Sequence, residues 1–137
     1  MKLLAMQHRL PILAGLVLAL LPPTSATEIV PLTAMRVARM AHTATTLADN
    51  RVLVAGGFTD PRHASAGAEL FDARSARFVS LPSMVMLRHS HTATRLPDGK
   101  VLLVGGFAAG NSVTPSAELF DPVAQRFIHG VLEGAGA

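Results

Sequence analysis

From residue 42 onward the chain alternates short apolar stretches with glycine, aspartate and proline. Across 42–47 and again across 91–96, threonines alternate with apolar residues, the period of a pleated strand with one buried face. Asp98-Gly99 then reads as a two-residue hairpin turn, and Asp49-Asn50 as its weaker equivalent. The unbroken apolar runs 52–55 and 101–104 predict strands buried on both faces, each ended by a glycine pair, Gly56-Gly57 and Gly105-Gly106. Third strands are predicted over 68–71 and 117–120, closed by Asp72 and by Asp121-Pro122, and short fourth strands around Phe78 and Phe127.

These elements recur at a constant offset of 49 residues, so that 35–83 lies over 84–132 without a gap and about 20 of the positions match. The offset pairs Arg39 with Arg88, His42 with His91, Glu69 with Glu118 and Asp72 with Asp121. A period near 50 belongs to repeat architectures in which one supersecondary unit stacks on the next. Extending the offset backwards lays 29–35 over 78–84, which predicts an outer-strand remnant at 29–34 ahead of the two repeats.

The ordered motifs are Arg-x-x-His-Thr-Ala-Thr, Asp-Gly-Lys-Val-Leu-Leu-Val-Gly-Gly-Phe, Ala-Glu-Leu-Phe-Asp-Pro and Arg-Phe. Together they resemble the kelch repeat of bacterial secreted and galactose-oxidase-like propellers, over nearly all of 29–129. The resemblance implies an all-β fold of two four-stranded antiparallel blades, an incomplete β-propeller. The first copy departs from the pattern at Asp49-Asn50 and Asp72-Ala73, and the stretch 129–137 no longer matches the end of the first repeat. A propeller closes a ring of several blades, each burying its faces on its neighbours. Two blades alone leave apolar faces and strand edges in water. Three explanations stay open: a truncated gene product, a ring completed by homo-oligomerisation, or a two-blade unit of marginal stability.

The N-terminus has a different pattern. Lys2, His8 and Arg9 precede an apolar run over 10–21, followed by Pro22, Pro23 and the small residues Thr24, Ser25 and Ala26. This is the layout of a secretory signal peptide, 1–26, with cleavage expected after Ala26. The run is too short to span a bilayer, which takes roughly 20 apolar residues. A secreted or periplasmic location follows as the expectation, with membrane contact only through the signal segment if it is uncleaved. The mature part is then 27–137.

Composition narrows the chemistry. The formal net charge of +3 includes Lys2 and Arg9, and removing them leaves 10 basic against 9 acidic residues. No basic cluster with interleaved aromatics remains, so nucleic acid is not an expected partner. Cysteine, tyrosine and tryptophan are all absent, which removes disulfides, thiolate chemistry and cysteine-ligated metals. A copper and tyrosyl-radical site of the galactose oxidase kind needs tyrosine ligands and a tyrosine–cysteine crosslink. The resemblance therefore implies a scaffold without that activity, and the expectation is no enzyme, no metal and no cofactor.

The repeated polar positions Arg39, His42, Glu69, Asp72, Arg88, His91, Glu118 and Asp121, with the four glycines, are expected to be architectural. Arg39 with Glu69 and Arg88 with Glu118 suggest a charge pair bridging strands or blades. Between strands that are nearly copied lie two loops of equal length, 59–67 and 108–116, which share no residue at matched positions. Loops on a rigid scaffold carry specificity, so Asp60, Arg62 and His63 of the first and Asn111, Ser112 and Thr114 of the second are the candidate contacts. The reading is a binding module for a protein or carbohydrate ligand, or alternatively a fragment of a larger propeller protein without independent activity.

Overall fold

In a computed structural model, residues 31–130 can be described, and all of them fall in one compact unit. The signal segment 1–26 and its cleavage position lie outside the described residues. So do residues 29 and 30 of the expected outer-strand remnant; residues 31–34 carry no strand.

The fold is all-β, two four-stranded antiparallel sheets of propeller-blade form. The first sheet contains β1 (Thr43–Thr46), β2 (Val52–Ala55), β5 (Ala68–Asp72) and β6 (Arg77–Ser80), hydrogen-bonded in that order. Between β2 and β5 the chain leaves the sheet for a small hairpin, β3 (Phe58–Asp60) and β4 (His63–Ala64). The second sheet repeats the meander with β7 (Thr92–Arg95), β8 (Val101–Val104), β9 (Ala117–Asp121) and β10 (Arg126–Gly130). A 3₁₀ turn at Ala109–Asn111 stands where the first sheet has its hairpin.

Matched registers show that the repeat is structural. Leu53 lies opposite Leu70 and Ala55 opposite Ala68 in the first sheet; Leu102 opposite Leu119 and Val104 opposite Ala117 stand in their places in the second. Successive side chains on a strand point to opposite faces. Leu53, Ala55 and Leu70 thus form one face of the first sheet. They meet Val101, Leu103 and Phe120 of the second in a core from which water is nearly excluded. The innermost strands β1 and β7 run side by side across this junction.

The turns differ in one respect from the sequence expectation. Leu47 and Leu96 donate to the carbonyls of Arg51 and Lys100 at 2.8 Å, enclosing three residues rather than two. The last of the three is left-handed in each case, Asn50 at φ 66° and Gly99 at φ 88°. A type I turn followed by one left-handed residue matches strand twist as well as a two-residue primed turn does, and Pro97 suits its first central position.

Candidate functional site

The two divergent loops come together. Phe58, Pro61, Arg62 and Ala64 of the first face Ala108, Ala109, Gly110 and Asn111 of the second across an open cleft of about 330 Å³. Each wall is set by local chemistry. In the hairpin, the Asp60 carboxylate accepts from the Arg62 amide at 2.9 Å and meets His63 Nδ1 at 2.7 Å, which fixes the turn and points it off the sheet. The Arg62 amide above all, and then His63, hold the Asp60 carboxyl below its ordinary pKa. On the other wall Gly110 and Asn111 are both left-handed, at φ 67° and 57°, a conformation these two residue types tolerate best.

The structure separates the six expected contact residues. Arg62 and Asn111 line the cleft. Asp60 and His63 are exposed beside it as a pair, and Ser112 spends its hydroxyl on the Ala109 carbonyl at 3.0 Å. Thr114 is a correction: it is buried, its hydroxyl 2.8 Å from Ser116 Oγ and its amide donating to Gly106, so it supports the loop from beneath. Phe58, Pro61 and the segment 108–110 were missed because small and apolar loop residues carry no chemical signal of their own.

The repeated polar positions form two buried clasps. Arg39 Nη1 donates to the carbonyls of Gly56 and Gly67 at 3.0 and 2.9 Å, and Nη2 to Glu69 Oε1 at 2.9 Å. Glu69 in turn accepts the amides of Arg36 and Val37. Arg88 repeats this with Gly105, Ser116 and Glu118, which accepts the amides of Val85 and Met86. Each clasp ties the segment entering a sheet to the strand at its centre. Asp72 and Asp121 cap the following turns, accepting the amides of Arg74 and of Val123 and Ala124.

Across the junction His91 Nε2 lies 2.9 Å from Thr43 Oγ1, and Gly57 donates to the Arg88 carbonyl at 2.9 Å. His42, at the matching place in the first sheet, is half-buried. Burial above all, then the nearby Arg88, His89 and His42, hold the His91 imidazole down at about 4, with Glu118 opposing. The unfolded imidazole takes its proton near 6.5 and the folded one only near 4. Stability is therefore full above pH 6.5 and lost as pH falls towards 4. The urea midpoint should fall across that window, and less steeply in His91→Gln; a wild-type midpoint that stays level would refute this.

No protein-family model matches the chain, and no curated protein matches it. Among solved structures it is similar to a fungal alcohol oxidase of the AA5 family in complex with copper. The two share 24% sequence identity with a TM-score of 0.55, over 66% of this chain and 18% of that one. The likeness is one of fold and corroborates propeller blades. It also corrects the expectation that the chain is no enzyme, because the matched architecture belongs to an oxidase and so does not set catalysis aside. Among the described residues, no three histidine, aspartate or glutamate side chains converge.

Proposed function

We propose that the chain is a binding segment of a kelch-type propeller, exported to the periplasm or the cell exterior, with the cleft between its two divergent loops as the ligand site. One observation carries the reading. The strands on either side are near copies, whereas the loops 59–67 and 108–116 between them share no residue at matched positions and meet in one cleft. Arg62 and Asn111 give it hydrogen-bond donors, and Phe58 and the alanines give it apolar walls. Such a surface suits an extended ligand rich in hydrogen-bond acceptors, an oligosaccharide or a peptide.

The test is titration of the chain with panels of oligosaccharides and peptides, followed by NMR. Binding should shift resonances of 58–64 and 108–111, and Arg62→Ala with Asn111→Ala should weaken it roughly 10- to 100-fold, as expected for lost hydrogen bonds to a charged donor and an amide. Equal affinity in the double variant would sink the assignment. A second reading draws on the short span of the structural match: these blades are one segment of a longer oxidase-like propeller. Its mark is further blade repeats encoded beside this chain.

A further inference from the structure

The internal junction is a template for a second one. Leu53, Ala55 and Leu70 of the first sheet, which the second covers, have counterparts 49 residues later on the second sheet's far side, Leu102, Val104 and Leu119, that are less buried. Leu53 and Leu70 are 1% and 4% exposed, whereas Leu102 and Leu119 are only half-buried and line an apolar groove with Ala117 and Ile128. The complementary surface lies at the opposite end of the molecule. Val101 and Phe120 insert at the junction and are fully buried; their counterparts Val52 and Phe71 are half-buried.

The polar groups repeat the asymmetry. At the junction a Cβ on Gly56 would lie 2.4 Å from the Arg88 carbonyl of the next sheet, while one on Gly105 meets only the Thr114 carbonyl at 3.7 Å. Phe58 packs on His89 at 3.8 Å between ring centroids. Phe107, the counterpart of Phe58, is exposed, and so is Met40, which holds the place of His89. One end of the molecule thus has the receiving surface, the other has the inserting one, and their matched residues are already shown fitting together.

We propose that the chain associates head to tail with a second copy of itself. The Leu102–Leu119 face of one copy receives the Val52–Phe71 face of the next. In that arrangement the Gly106 amide donates to the Arg39 carbonyl of the second copy, and Thr92 meets its His42, as Gly57 with Arg88 and Thr43 with His91 do within one chain. The contact is heterologous, so copies add in one direction and close into a ring when the rotation allows. It stands independently of the cleft.

Light scattering and sedimentation of the full chain test the direction as well as the mass. Leu119→Glu blocks the receiving face, and Ala44→Glu, at an exposed position on β1 whose counterpart Ala93 packs against the core, blocks the inserting one. Circular dichroism checks that each variant keeps its strands. The wild type should form oligomers, each variant alone should stay monomeric, and an equal mixture of the two should give a one-to-one dimer and nothing larger, because each supplies the face the other lacks. A monomeric wild type, association that survives either substitution, or a mixture that does not pair would each overturn the proposal. Should Leu119→Glu fail to fold, Ile128→Glu at the exposed margin of the same face takes its place.

Discussion

Glu118→Leu is expected to remove about 3–5 kcal/mol of stability, the cost of leaving one charge of a buried pair without its partner. Both side chains of the Arg88–Glu118 pair are wholly buried, so water cannot reach the guanidinium that would be stranded. The same substitution orphans the amides of Val85 and Met86, which have the carboxylate as acceptor. Against a total that is typically only about 5–15 kcal/mol, the second sheet would lose its cooperative unfolding transition or come close to it. Glu118→Gln keeps an acceptor for the amides and should cost less. Urea unfolding followed by circular dichroism reads both; a loss below about 1 kcal/mol for Glu118→Leu would mean that the clasp does not hold the sheet.

Gly56→Ala is expected to be the more disruptive of two chemically identical substitutions. The left-handed backbone alone costs roughly 1–2 kcal/mol for a residue with a Cβ, and Gly56 and Gly105 share that term at φ 67° and 65°. Only at Gly56 does the added carbon also strike a carbonyl of the neighbouring sheet and the His91 ring, at 2.4 and 2.7 Å. Forcing the sheets apart there opens the core between Leu53 and Phe120, so the total should reach about 3 kcal/mol or more, the range of severe single substitutions. Thermal unfolding of the two variants side by side gives the comparison. Equal losses would show that backbone conformation, and not the close approach of the sheets, governs this position.

Much of this arrangement is legible in the sequence. The strands at 52–55 and 101–104 announce themselves as valine and leucine runs, and the 49-residue offset carries the remaining strands with them. The hairpin over 58–64 was illegible because Thr-Asp-Pro-Arg-His has no alternation. It is held instead by bonds to distant backbone, Met40 to Phe58 and Ser65 to Gly57. The repeat exposed Arg39, Arg88 and their glutamates as a recurring pair, but not that each carboxylate also gathers two amides of the segment entering the sheet. Thr114 was misplaced for a physical reason: a loop threonine whose hydroxyl finds a serine two residues on is as polar in sequence as one that faces water. The meeting of the divergent loops over one cleft depends on how the two sheets stack, which no local pattern encodes.

The meander order of the strands has a kinetic consequence. All ladder hydrogen bonds of the first sheet, and its Arg39–Glu69 clasp, join residues between 36 and 80, and the second sheet and its clasp draw on residues 85–130. Contacts so close in sequence demand little loop-closure entropy, which favours fast formation for a β protein. A chain that emerges N-terminus first can therefore complete its first sheet once about 80 residues are free. That sheet then offers the Leu53–Leu70 face as a preformed surface on which the second can condense, a route of templated addition from one end.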